Sequence, residues 1–256
     1  MHYREAGDGP AALLVHGYPN SSYLFRDLLP AVAGAGFRAV APDLPGYGGS
    51  ELNGSSGTWE EHVAALGAFV EEHELAPLVL VVHDWGGLIG LRWACEHGDQ
   101  VRGLVLMSTG FFPDGKWHGF AQAMRAGQVD GMIDDMDRDG FAGLMRQAAP
   151  HADAEAIDEY FKGFATPERR RAGLDLYKSG DFEKLAPYEG KLAELDVPTL
   201  VLWGAKDDYA PVASAYRFQK EIPHAELVIL DEAGHFVMEE EPERVGAEIA
   251  GFLGRL

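Results

Sequence analysis

Two runs of the chain, LVLVVH from Leu78 to His83 and TLVLWG from Thr199 to Gly204, are apolar at almost every position. A strand with one face in water alternates apolar and polar side chains, so a run without alternation has to be covered on both faces. Such strands belong to parallel sheets joined by helical crossovers. Similar runs predict strands at 2–5, 11–16, 37–41, 78–83, 101–107, 198–203 and 225–230, and the segments 22–34, 58–73, 86–97, 211–221 and 242–255 carry helical spacing. The alternation predicts an α/β fold, a mostly parallel sheet flanked by helices.

Between Gly110 and Asp196 the alternation stops, and helical pieces near 118–126, 139–148, 153–163 and 167–178 take over. That interval is too long for a loop. It reads as a helical cap, residues 113–190, inserted into a core domain of residues 1–112 and 191–256. A cap beside a sheet edge encloses a pocket between two layers, a common place for a small ligand.

The 256 residues, 46% of them hydrophobic, suffice for a core without covalent staples. A single cysteine, Cys95, permits no internal disulfide and fits a reducing compartment. The opening MHYREAGDGP lacks the apolar region of a signal peptide, and no run approaches the ~18 apolar residues of a membrane span, so a soluble, cytoplasmic protein is expected. A net charge of −20 repels nucleic acid and anionic membranes. The acidic run Glu239–Glu243 reads as a solvated loop and helix start. No His or Cys cluster has metal-ligand spacing, and Gly46, Gly48 and Gly49 read as a turn that lacks the lysine of a phosphate loop; no metal or other cofactor is expected. Nothing points to an obligate assembly, so a monomer or weak homodimer is expected.

The chemistry concentrates where the apolar runs end. In VVHDWGGLIG, Asp84 occupies a strand-to-helix turn, the place of the serine in a G-x-S-x-G elbow, although Val82 replaces the first glycine. A residue there is presented at the C-terminal edge of the sheet, where open α/β folds bind ligands. Asp84 is either a helix N-cap or a nucleophile. The HGYP turn can aim the Tyr18 N–H into the pocket, and with the Trp85 N–H it would form an oxyanion hole. His235, after the AELVIL run, is the candidate general base, and Asp207 its orienting acid, with Asp208 as the adjacent rival. His16 and His83 adjoin the two turns and are read as bracing them; His2, His62, His73, His97, His151 and His224 are read as surface residues. The order Asp84, Asp207, His235 is that of an α/β-hydrolase triad.

Together HGYP, APDLPGYGGS, HDWGG, LWGAKDDYAP and AGHFV resemble the α/β-hydrolase superfamily, more narrowly its aspartate-nucleophile branch of haloalkane dehalogenases, epoxide hydrolases and haloacetate dehalogenases. The resemblance implies that Asp84 is the nucleophile, His235 the base and Asp207 the acid, since W-G-x-x-D-x-x-x-P falls on Trp203, Gly204, Asp207 and Pro211. It also implies a further strand before residue 1. A carboxylate suits this branch because it can displace a leaving group from an sp³ carbon, forming an alkyl ester that activated water then hydrolyses.

The leaving group separates the members. Trp85 fits haloalkane dehalogenases and epoxide hydrolases alike but not haloacetate dehalogenases, which resemble HDRGG. The segment SSYLFRDLLP looks like haloalkane dehalogenases, and Trp117 in GKWHGF can pair with Trp85 around a halide. Tyr18 stands where many haloalkane dehalogenases carry asparagine, although those of the two-tryptophan type do not need it and also place the triad acid after the later strand. Epoxide hydrolases of this branch present two cap tyrosines, yet residues 113–150 contain none; Tyr160 in DEYFKGF looks like one of them, with Trp117 or His118 as its helper, and Tyr177 reads as packed within a helix. The balance favours a haloalkane dehalogenase acting on a small apolar substrate with water, with an epoxide hydrolase as the alternative. A non-catalytic ligand-binding protein of the same fold stays open.

Overall fold

The computed structural model describes residues 1–256. Its sheet is built from β1 (Tyr3–Ala6), β2 (Ala11–Val15), β3 (Arg38–Pro42), β4 (Leu78–His83), β5 (Val101–Met107), β6 (Thr199–Gly204) and β7 (Glu226–Leu230). Every strand lies within one residue of its expected position. The order is β1-β3-β2-β4-β5-β6-β7, with β1 antiparallel to β3 and all other pairs parallel. All residues of β2, β4 and β6 are buried, as their unbroken apolar sequences require.

Helices α1 (Leu28–Gly34), α2 (Trp59–Glu72) and α3 (Trp85–Glu96) follow β2, β3 and β4. The expected helix over 22–34 is divided into a 3-10 turn, Ser22–Phe25, and α1. Pro30 explains the division: it has no N–H to give to the carbonyl of Arg26, but it is tolerated in the first turn of a helix that starts at Leu28.

Between β5 and β6 run α4 (Gly119–Arg125), α5 (Asp130–Asp134), α6 (Arg138–Ala148), α7 (Ala154–Phe161), α8 (Pro167–Ser179) and α9 (Lys191–Glu194). The two short helices, α5 and α9, and the 3-10 turn Phe182–Tyr188 carry too little sequence to show a period. The chain closes with α10 (Ala213–Glu221), α11 (Val237–Glu240) and α12 (Pro242–Leu253), the last packed on α1. None of the helices is long and apolar enough to cross a membrane.

The strand order positions the site. After β2 the chain moves out to β3, then returns across β2 to β4, so the loops following β2 and β4 diverge at the point where the winding reverses. At this crevice α3 lies hard against the end of β2. A Cβ on Gly86 would sit 2.1 Å from the Val15 carbonyl oxygen, so only glycine permits the approach.

Candidate active site

Asp84 bridges β4 and α3 with φ 51° and ψ −124°, a backbone conformation that non-glycine residues rarely adopt. Surrounding bonds hold it there: its carbonyl accepts from the Thr109 hydroxyl at 2.7 Å and from the Gly87 N–H at 2.9 Å. The turn lifts the carboxylate off the sheet edge, and Oδ1 accepts the Tyr18 N–H at 2.8 Å. Gly17 makes room for that contact, since a Cβ there would meet Oδ1 at 2.2 Å.

On the other side Nε2 of His235 faces Oδ2 of Asp84 at 3.6 Å. Its Nδ1 lies 3.0 Å from both oxygens of Asp207, whose Oδ1 also accepts the N–H groups of Tyr209 and Ala210. Asp208, the rival acid, is exposed. Burial works to lower the His235 pKa, but the two flanking carboxylates outweigh it and push the imidazole up to about 10. Burial likewise works to raise Asp84 and Asp207, and the His235 interactions hold both below the ordinary carboxylate value. These directions favour an imidazolium between two carboxylates.

Of the two histidines read as bracing, His16 holds its own turn, whereas His83 ties down the His235 loop. His16 donates to the Gly17 carbonyl through Nδ1 at 2.9 Å and accepts the Leu44 N–H through Nε2 at 3.0 Å. His83 donates through Nε2 to the His235 carbonyl at 2.9 Å, and burial lowers its pKa to about 4. His62 differs from its expected surface position: it is buried beside Tyr47, with neither ring nitrogen hydrogen-bonded in the protein, because α2 turns it inward beside Val63 and Leu66.

Above Asp84 opens a chamber of about 250 Å³, walled chiefly by apolar side chains of the helical segment. Phe141, Leu144, Met145 and Ala148 of α6 face it at helical spacing, a stripe already visible in GFAGLMRQA. A smaller recess of about 90 Å³ also reaches Asp84, between Trp85, Trp117 and Phe182. The indoles of Trp85 and Trp117 stack with centroids 5.2 Å apart, and Nε1 of buried Trp85 has no hydrogen-bond partner in the protein. His118 lines both cavities.

Tyr177, read from sequence as helix packing, lines both cavities too; its ring contacts Tyr18 and Trp85 at 5.1 and 5.2 Å. Burial, then the Asp84 charge, raises its pKa well above the usual phenol value, so it remains a neutral donor. Tyr160 overturns its expected role at the site. Its hydroxyl donates to Glu239, whose carboxylate also takes two 2.8 Å bonds from the Arg26 guanidinium, and the tyrosine lines neither cavity. Glu239 is accordingly buried rather than solvated. A carboxylate inside protein needs such partners, and Tyr160 and Arg26 supply them.

Comparison with known proteins accords with this geometry. Residues 10–242 match the model of the alpha/beta hydrolase fold family. Haloalkane dehalogenase 2 of Mycobacterium tuberculosis is 33% identical over 266 residues, spanning 99% of this chain and 91% of the relative. The chain belongs to the α/β-hydrolase fold family, in its haloalkane dehalogenase-like branch. A solved haloalkane dehalogenase from Bradyrhizobium elkani superposes on this α/β-hydrolase with a TM-score of 0.83 at 28% identity, covering 99% of this chain and 93% of the other. A thermophilic esterase from Thermogutta terrifontis, 24% identical with a TM-score of 0.80 over 99% and 93% of the two chains, shares the fold alone. Fold alone does not fix a reaction, which depends on the groups a site presents.

Proposed function

We propose that this chain is a haloalkane dehalogenase that works through an ester on Asp84. The observation that carries the reading is the Asp84 carboxylate, fixed at the strand-to-helix turn by the Tyr18 N–H, beneath an apolar chamber and beside a His235–Asp207 pair. Oδ2 attacks the carbon bearing the halogen; the new C–O bond forms as the carbon–halogen bond breaks and the halide leaves with the bonding pair. The Trp85 Nε1–H, stacked beside Trp117, is the donor for the departing anion.

Esterification removes the Asp84 charge, one of the two that keep His235 protonated. The imidazolium then loses its proton, which leaves with the halide, and His235 becomes the base that takes a proton from water. Water adds to the ester carbonyl, and the N–H groups of Tyr18 and Trp85 receive the charge that develops on the Asp84 oxygen. Collapse releases the alcohol and restores the ion pair. The helices of residues 113–190 serve as the cap over a core of residues 1–112 and 191–256. The single cysteine and acidic surface support a soluble cytoplasmic enzyme, a monomer or weak homodimer.

One observation favours epoxide hydrolysis as a second reading: the Tyr177 hydroxyl, a neutral donor in the charge field of Asp84, suits protonation of a ring-opened alkoxide. Parallel assays separate the two. Bromide release from 1-bromobutane, abolished in Asp84→Asn, supports the dehalogenase; diol from styrene oxide with no bromide from any bromoalkane supports the epoxide hydrolase instead.

A further inference from the structure

We propose that His118 and Tyr209 form a hydrogen-bonding subsite that selects halogenated substrates bearing an oxygen acceptor, such as an ether, hydroxyl or carbonyl, over plain alkyl halides. This rests on the dehalogenase reading of the same site and specifies its substrate class.

His118 is the N-cap of α4, where its Nδ1 accepts the Ala121 N–H at 3.4 Å. With Nδ1 accepting, the proton of the neutral ring sits on Nε2. Burial lowers the His118 pKa, which keeps the ring neutral. The imidazole stands edge-on to the Tyr209 ring, centroids 5.1 Å apart, and Tyr209 stands 5.1 Å from His235. Both residues line the large chamber and the recess and are half-buried, and the one hydrogen bond of the His118 ring within the protein uses Nδ1, leaving Nε2 free.

The energetics decide the substrate. An alkyl chain filling the chamber would strip water from these two groups and give nothing back, an unpaired-donor penalty. A substrate oxygen in the same place accepts from them. Sites built to hydrogen-bond a substrate group discriminate against analogues lacking it far more strongly than apolar pockets discriminate by size. Elsewhere the chamber wall is mainly apolar (Phe120, Ile133, Phe141, Leu144), with Tyr18, Gln147 and Tyr177 as further polar side chains, so the preference is for an acceptor on a largely hydrocarbon body.

The test compares 1-bromopentane with 2-bromoethyl ethyl ether, in which one methylene is replaced by oxygen. Bromide release gives kcat/KM for each. The wild type is expected to prefer the ether about tenfold, and Tyr209→Phe and His118→Ser each to bring the ratio toward one. Phenylalanine keeps the aromatic packing, and serine keeps an N-cap acceptor for Ala121, so neither variant depends on losing the fold. A residue that only shapes the wall would change both substrates equally and leave the ratio intact. Equal rates for the two substrates in the wild type, or an unchanged ratio in both variants, overturns the subsite while leaving the dehalogenase standing. Bromide from neither substrate removes the dehalogenase reading itself, and the subsite with it.

Discussion

Nε2 of His235 stands 3.6 Å from Oδ2 of Asp84, while Nδ1 of the same ring is within 3.0 Å of Asp207. The imidazole therefore links two carboxylates, only one of which faces the chamber. In the proposed mechanism its two roles, counter-ion to Asp84 before the ester forms and base afterwards, follow from the charge that esterification removes.

Loss of the base stops the second step and spares the first. His235→Gln, incubated with 1-bromobutane, is expected to lose about 10²–10⁴-fold in steady-state turnover. Intact-mass analysis should then show one added butyl group, on the peptide containing Asp84. A variant that is inactive and carries no adduct counts against a histidine confined to hydrolysis.

The same histidine sets a pH dependence of stability. Its folded pKa, about 10, lies above that of an unfolded histidine, so its contribution is complete below the unfolded value of about 6.5 and is lost as pH rises through the folded one. The melting-temperature difference between wild type and His235→Gln should be largest near pH 6 and shrink toward pH 10. Because Asp84 and Asp207 have lowered values, their contributions are present above the ordinary carboxylate pKa and fall away in acid. A wild-type advantage that grows from pH 6 to pH 10 contradicts the ion-pair assignment.

The tryptophan pair should bind the departing anion. Bromide or iodide is expected to quench tryptophan fluorescence saturably, and Trp85→Phe to remove saturation and lower kcat/KM by about 10–100-fold, the worth of one hydrogen bond to a charged group. Linear, unsaturable quenching in the wild type contradicts a halide site between Trp85 and Trp117.

Tyr160, Arg26 and Glu239 are expected to matter for folding rather than chemistry. Tyr160→Phe should cost about 1–2 kcal/mol of stability, and Arg26→Met about 3–5 kcal/mol, because the latter leaves a buried carboxylate without its cation. Turnover per folded Tyr160→Phe molecule should stay within about threefold of wild type, since such a change is under 1 kcal/mol. Denaturant titration beside the bromide assay measures both quantities. A collapse of turnover with unchanged stability restores Tyr160 to the active site.

The sequence was most legible where one physical requirement acts along a short stretch. Strands buried on both faces have to be apolar throughout, so β4 and β6 could be read directly, as could the residues at their ends, Asp84 and Asp207. His235 stands out in the sequence because it follows β7 in the order of a triad, and the structure places it beside Asp84 and Asp207. Roles that depend on approach between distant helices were not legible. Tyr160 and Tyr177 occupy similar helical patterns, yet α7 turns one toward the buried Glu239 and α8 turns the other toward Asp84. Glu239 sits in a run of acidic residues that reads as solvated, and only its partners on other elements, Arg26 and Tyr160, show why it is buried.

The most direct test of the ester on Asp84 is a single turnover in heavy-oxygen water, with enzyme in excess over 1-bromobutane. If water attacks the ester carbonyl, one heavy oxygen is expected in the Asp84 side chain, seen by peptide mass analysis, and the first butanol released carries ordinary oxygen. Heavy oxygen in that first butanol, with none in Asp84, would mean that water displaces the halide directly and that the carboxylate never bonds to carbon.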